Sequence, residues 1–295
     1  MAINPVSAEL LLLCRSLSPE RRCALMLGRQ WIRLSRAQAT ELQTRHALPL
    51  FDLCDDEGRD AHYGEPFLQR LGFTLTDSLD ADAYQGAGLI HDLNTPLPPD
   101  WHGRYDWVFD GGTLEHVFDL PQASKNVAAL LREGGLFIAM SPCNNWMGHG
   151  LYQFSPELLF RLYSPSRGFR CRFAALYEHD SGRFLALEDP ALNTQRHAYN
   201  PPGRLSLLFV AQKTTTLNPT ASLTQSDYQS AWLQGLHSAP PTPSSPPSLL
   251  RRCTPPWLAQ IVRQWHINRR RRQEGRPKGQ STRCLQQLWR QTLRS

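Results

Sequence analysis

Three carboxylates stand where apolar runs give out. Asp80 ends "FTLTDSLD" (Phe73–Asp80), Asp92 lies in "GLIHDL" (Gly88–Leu93), and Asp110 ends "YDWVFD" (Tyr105–Asp110). Gly111 and Gly112 follow Asp110, and Glu115 and His116 come shortly after. A carboxylate accepts two hydrogen bonds side by side, which suits a ribose diol, and it also accepts from an amino group. Glycine beside it lets a ligand approach the backbone closely. A histidine next to a glutamate can take or give a proton. A second group lies in "CNNWMGHGLYQFSP" (Cys143–Pro156), which holds Asn144, Asn145, Trp146, His149, Tyr152 and Gln153. Amides, aromatics and a histidine suit a polar, ring-shaped acceptor such as a sugar. Each residue also has a plain structural use. An Asp after a strand caps turns and helices, His116 can bond a backbone carbonyl, Asn144 and Asn145 can make a turn, and Trp146 and Tyr152 can cap a core.

The surrounding elements decide between these uses. Ser7–Ser16 reads as a short helix and Cys23–Arg29 as a buried strand closing at Gly28. Residues 31–69 are mixed and carry no assignment. The three carboxylate runs read as strands. Asp119–Arg132 has helix-start chemistry in Asp119 and Pro121, an apolar face at Val127, Leu130 and Leu131, and a stop at Glu133–Gly135. A strand over Leu136–Pro142 follows. Next comes a helix capped by Ser155 with Pro156 in its first turn. Phe169–Asp180 and Arg204–Lys213 read as closing strands. Strand alternates with helix, and the strands are apolar on both faces. The expected fold is therefore α/β: a Rossmann-like, mostly parallel sheet with helices on both faces. Such sheets bind ligands at the carboxyl ends of the strands, where the strand order reverses. That rim would gather Asp80, Asp92 and Asp110.

The chain has 295 residues, 41% of them apolar, enough for one large domain and an appendage. "ELLLLCRSL" (Glu9–Leu17) is too short to span a bilayer and lacks the marks of a secretory signal. The 7 cysteines are scattered, with no Cys-x-x-Cys and no His-x-x-x-His. This argues against a disulfide framework and a structural zinc site, with no metal ligand assigned, and for a reducing cytoplasm. The net charge of +6 is unevenly spread. From Arg251 onward there are 12 Lys and Arg against one acid, Glu274. That leaves 20 basic and 25 acidic residues, of 32 and 26, in the rest. "SAPPTPSSPPS" (Ser238–Ser248) reads as an extended linker. The expected division is an N-terminal helix (1–22), a Rossmann-like domain (23–237), a linker (238–248) and a basic tail (249–295). In the tail, Trp257, Leu258, Ile261, Val262 and Trp265 share one helical face ahead of Arg269–Arg272, and "CLQQLWRQTL" (Cys284–Leu293) repeats the pattern. Such a segment can pack at home, lie on an anionic membrane surface such as the inner face of a cell membrane, or grip nucleic acid without sequence preference.

"YDWVFDGGTLEHVFDLPQASKNVAALLREGGLFIAMSP", together with the later "FSPELLFRLYS" and its Gly-Phe, resembles the core of the class I S-adenosylmethionine-dependent methyltransferases. The likeness runs from Cys23 to Lys213. It implies S-adenosylmethionine as cofactor and methyl transfer to a small or sugar-like acceptor, in a setting such as surface-glycan assembly. It assigns Asp80 to the ribose, Asp92 to the adenine side, Asp110 and Gly111 to the floor of the cofactor site, Glu115 and His116 to its lining, and Gly28 to cofactor binding as what is left of the first glycine motif. His149 and His116 become the candidate catalytic groups. Asn144, Asn145, Trp146, Tyr152 and Gln153 become the acceptor loop. The sequence departs from the family after the first strand, where a glycine-rich loop is reduced to Gly28-Arg29-Gln30. Arg29 stands where it could meet the cofactor carboxylate instead. The same departure supports an alternative: an inactive methyltransferase-like scaffold that acts through its basic tail.

Overall fold

A strand apolar on both faces has to be covered twice, and this chain covers its sheet with helices on each side. The computed structural model describes residues 2–18, 20–49, 63–193, 196–197, 199–215, 223–233 and 281–294. Its strands are β1 (Ala2–Ile3), β2 (Cys23–Leu27), β3 (Trp31–Ile32), β4 (Leu75–Asp80), β5 (Leu89–Ile90), β6 (Tyr105–Asp110), β7 (Leu131–Asn144), β8 (Phe169–Glu178), β9 (Arg183–Ala186), β10 (Leu205–Lys213) and β11 (Ser281–Thr282). The helices are α1 (Pro5–Cys14), α2 (Arg36–His46), α3 (Glu65–Arg70), α4 (Leu120–Leu130), α5 (Pro156–Leu162), α6 (Pro190–Asn193), α7 (Ser226–Leu233) and α8 (Leu285–Thr292).

The main sheet runs β11-β9-β8-β10-β7-β6-β2-β4-β5. The block β5-β4-β2-β6-β7 is parallel throughout. The remaining pairings, from β7–β10 outward, are antiparallel, so the sheet is mixed. After β2 the chain builds outward through β4 and β5, then returns to the other side of β2 with β6. The strand order therefore reverses between β2 and β6, where Leu27 pairs with Asp110. All six residues of β6 are buried, as expected of a central strand.

Two cores flank the sheet. One lies under α1, α2, α3 and α8 and includes Met26, Trp107 and Phe109. The other lies under α4 and α5 and includes Leu25, Val108 and Phe137. Helix α1 starts on Asn4, whose side chain accepts from Val6 and Ser7 N–H while the Ser7 hydroxyl accepts from Asn4 N–H. It is apolar on nearly every face, with Leu10, Leu11 and Cys14 wholly buried, which is why the run at Glu9–Leu17 is a core helix. Asp119 caps α4 by accepting from Gln122 N–H at 3.0 Å.

The structure departs from the sequence reading in several places. Helix α4 stops at Leu130, and Glu133–Gly135 falls inside the irregular first part of β7. A side chain on Gly135 would sit 2.9 Å from Arg132 O and 3.0 Å from Asp106 O, so glycine is needed for this tight entry. Ser155 has N-cap geometry but makes no capping hydrogen bond. The short strand β9 carried no separate signal.

The division of the chain also changes. Helix α1 is core, not an appendage to a domain starting at residue 23. Residues 281–294, assigned to a separate tail, belong to the same body. Strand β11 extends the sheet beside β9, and α8 packs on α1. Leu285 and Leu288 are fully buried, Trp289 is 3% exposed, and the Trp289 ring lies 5.0 Å from that of Phe173. Of the uses open to this face, packing at home is the one that its second segment takes. The Pro/Ser linker, Trp257–Trp265 and Arg269–Arg272 lie outside the described residues.

Candidate active site at the strand ends

The reversal point brings the ends of β2, β4 and β6 together. Gly28 leaves β2 with φ 65°, and its N–H donates to Leu79 O at 2.7 Å. Gly111 leaves β6 without room for a side chain: a Cβ there would lie 2.6 Å from Gln30 Oε1. Asp110 is wholly buried, and its Oδ1 accepts from the N–H groups of Gly112, Thr113 and Leu114 at 3.2, 2.7 and 3.4 Å. These bonds shape the 3₁₀ turn at Leu114–His116. Asp110 Oδ2 has no partner among the described residues.

The same turn carries Glu115, only 1% exposed, with Oε2 unpartnered and Oε1 3.4 Å from His149 Nε2. Burial pushes both carboxyls above the usual carboxylate range, and the nearby Asp110 charge pushes Glu115 further. His116 lies on the surface of the turn, its ring 5.3 Å from that of His149. Partial burial and then His149 hold its pKa below the ordinary histidine value.

The other expected cofactor residues divide. Asp80 ends β4 and is half-buried; its Oδ1 accepts from Ala81 N–H at 2.8 Å and its Oδ2 from Arg29 N–H at 3.3 Å. Two single bonds leave a carboxylate with acceptor capacity for a ligand. Asp92 is exposed, and its Oδ1 accepts from both the backbone and side-chain nitrogens of Asn94, at 2.9 and 2.7 Å. These bonds lower its pKa. Asp92 is thus a turn-forming residue here.

Arg29 is committed. Its Nε donates to Glu65 at 2.9 Å, one terminal nitrogen donates to Gln85 O at 2.7 Å, and its guanidinium lies 3.9 Å from the centre of the Tyr63 ring. Gln30, named in the sequence only as part of a reduced motif, is fully buried beside Gly111. Its Nε2 donates to Leu27 O at 2.7 Å, while its Oε1 has no partner. Tyr163 was not singled out in the sequence at all. Its buried hydroxyl is unpartnered, and burial and then Asp110 push its pKa up.

The loop expected to meet the acceptor is mostly tied to the protein. Asn144 donates to Asn200 at 2.7 Å, and Asn145, at φ 61°, donates to Pro201 O and Gly203 O at 2.9 and 2.7 Å. Trp146 Nε1 donates to Leu205 O at 2.7 Å, and its backbone N–H donates to Gln153 at 2.9 Å. Tyr152 donates to Phe118 O at 2.7 Å. These bonds pin the loop, and the N–H groups of Leu151 and Tyr152 both reach Glu115 O, at 2.7 and 3.1 Å. His149 is thereby delivered to Glu115. Its side chain stays 49% exposed, and Phe118, Met147 and Leu151, each within two positions of His116 or His149 in the chain, are exposed apolar groups.

No family model and no curated protein matches the chain. Among solved structures it overlaps Burkholderia thailandensis 1,6-didemethyltoxoflavin-N1-methyltransferase with bound 1,6-didemethyltoxoflavin and S-adenosylhomocysteine, at 15% identity and TM-score 0.41, over 72% of this chain and 78% of that one. It overlaps the citrinin polyketide synthase CMeT domain at 11% identity and TM-score 0.36, over 67% of this chain but 48% of that one. It also overlaps a SAM-dependent methyltransferase of Thermotoga maritima at 14% identity and TM-score 0.37, over 72% of this chain and 90% of that one. What the chain is similar to, then, is a set of methyltransferase structures, a likeness that by itself assigns no activity.

Proposed function

We propose that this protein transfers a methyl group from S-adenosylmethionine to a small-molecule acceptor. One observation carries the reading. At the reversal between β2 and β6, the buried carboxylates of Asp110 and Glu115 each keep an oxygen without a partner, and Asp80 stands at the neighbouring strand end. Buried polar atoms left unpaired are costly, and a ligand rich in hydroxyl and amino donors would satisfy them. Asp80 would take the ribose, Asp110 and Gly111 the floor, and Glu115 the lining. When bound, the cofactor supplies an electrophilic methyl group on a sulfonium. The chain's own part is to hold the acceptor in line and keep water out. His116, neutral near pH 7, can take a proton that the acceptor must lose, with His149 beside it.

We read the acceptor as having an apolar face. The amides that suggested a sugar are bonded to the protein, while the exposed Phe118, Met147 and Leu151 stand within two positions of His116 or His149 in the chain. This weighs against surface-glycan assembly. A second reading, an inactive scaffold, is favoured by Arg29, whose guanidinium is already engaged by Glu65 and Gln85, and by the Gln30 side chain, which fills the space beside Gly111. The run Arg269–Arg272 would then serve an anionic partner, a membrane surface or nucleic acid. Among the described residues no helix is long and apolar enough to cross a membrane, in keeping with our proposal of a cytoplasmic protein, peripheral at most.

Calorimetric titration of the full chain with S-adenosylmethionine and S-adenosylhomocysteine separates the two readings. Binding is expected, and Asp80→Ala should weaken it by about 10- to 150-fold, since a hydrogen bond to a charged acceptor is worth ~1.5–3 kcal/mol. No heat and no thermal shift at millimolar ligand would leave the scaffold reading.

A further inference from the structure

Glu115, His116 and His149 each direct one ligand-type atom to a common place, with all three atoms within 4.8 Å of one another. We propose that these side chains form a binding site for a divalent first-row metal ion, with two imidazoles and one carboxylate as ligands. Two ligand atoms each ~2.1 Å from a tetrahedral ion stand about 3.4 Å apart, and Glu115 Oε1 and His149 Nε2 are separated by 3.4 Å.

The place is built, not incidental. His149 is 34 positions beyond Glu115, and the loop that carries it is fastened to Glu115 O by two N–H groups. Backbone crowds Glu115 from both sides. A side chain on Gly112 would lie 3.0 Å from Oε1, and one on Gly150 would lie 2.9 Å from Cγ, with both glycines at positive φ, 106° and 73°. Glu115 is 99% removed from solvent yet has an oxygen with no partner. A lone carboxylate charge in that setting is costly, and a cation at Oε1 would offset it. The Trp146 ring, fixed through its bond to Leu205, packs 5.4 Å from the His149 ring and limits its rotation.

Two nitrogens and one oxygen suit zinc, iron or cobalt better than magnesium or calcium, which prefer oxygen alone. The exposed side of the triad leaves coordination positions open to solvent or to an oxygen of a small molecule. With the ion in place, the histidines act as ligands and not as proton acceptors. The site shares Glu115 and His116 with the proposed function, which gives them the cofactor lining and the acceptor's proton, but its ligand set needs only these three side chains.

The test is titration of the full chain with Co²⁺, followed by visible absorption, with Zn²⁺ as competitor. We expect one equivalent of Co²⁺ to bind, without a thiolate charge-transfer band, and to be displaced by Zn²⁺. His149→Ala and His116→Ala should each weaken binding about 10-fold or more, while Asp92→Asn should not change it. Melting curves of the metal-free variants show whether each remains folded; both histidines are on the surface, so they should. Glu115→Gln, which keeps the side chain's shape, checks the third ligand. Absence of saturable Co²⁺ binding, a thiolate band, or unchanged affinity in the folded His116→Ala/His149→Ala double variant would each overturn the proposal. Titration of the metal-free parent and of Asp80→Ala with S-adenosylmethionine does not involve the metal, so failure of the metal site and failure of the cofactor reading are told apart.

Discussion

Removing residues beyond Ala239 should cripple folding, although the sequence alone reads that stretch as a linker and a tail apart from the domain. Leu285, Leu288 and Trp289 are at most 3% exposed. Burying a large apolar side chain is worth ~1.5–3 kcal/mol, so the three together contribute about 5–9 kcal/mol. A whole domain is stable by only about 5–15 kcal/mol. The deletion also bares the faces of α1 and β8 against which α8 packs. A narrower perturbation isolates α8. Trp289→Ala should cost ~3–5 kcal/mol, which in a large domain lowers the Tm by roughly 6–20 °C. Leu293→Ala, at a position 38% exposed in the reference chain, is the control and should move it little. The assay is thermal melting by circular dichroism on the full chain, both point variants and the variant ending at Ala239. If Trp289→Ala melts with the Leu293→Ala control and the shortened chain melts within ~2 °C of the parent, α8 is not part of the core and the reasoning fails.

Other outcomes follow from the same geometry. Gly111→Ala should destabilise the protein through its clash with Gln30, and Gln30→Ala should relieve it, so a double-mutant cycle should show a coupling of about 0.5–3 kcal/mol; additivity would separate the two residues. Glu9, 7% exposed, faces Arg45 and His46. Burial would raise its pKa, but those two side chains outweigh burial and lower it. A carboxyl whose folded pKa is depressed contributes stability that is present above its unfolded value, ~4.3, and is lost as pH falls through the folded value. The parent should therefore lose more stability between pH 6 and pH 3 than Glu9→Gln, and parallel losses would rule out the linkage.

Much of the sheet was legible because the central strands signal strongly. Tyr105–Asp110 is apolar on both faces and ends in a carboxylate, and Asp119 and Pro121 mark the start of α4. The spacing of Leu285, Leu288 and Trp289 was legible too, but a stripe of that kind does not name its partner. The surrounding arginines suggested an anionic surface, and only the tertiary packing supplies α1 and Phe173. The site was readable at Asp110 and Glu115, where strand end and turn adjoin. Asp92 looked equivalent, because an Asp that holds its own turn has the same sequence context as one that awaits a ligand. The meeting of His149 with Glu115 rests on backbone bonds from Leu151 and Tyr152, and no side-chain pattern records those. Gln30 was overlooked for a related reason: its importance comes from Gly111, a neighbour in space and distant in the chain.

The packing of α1 against α8 has a consequence for biosynthesis. Helix α1 is made early and is apolar on nearly all sides, yet part of what covers it lies some 270 residues later. At ~5–20 residues per second, that interval is on the order of 15–60 s. Throughout it, a helix centred on Leu10–Leu13 waits with an unfinished lid, during which chaperones or other nascent chains can reach it. Completion of this core is thus timed by translation, and slowing elongation downstream of α1 lengthens the window in which the protein can aggregate.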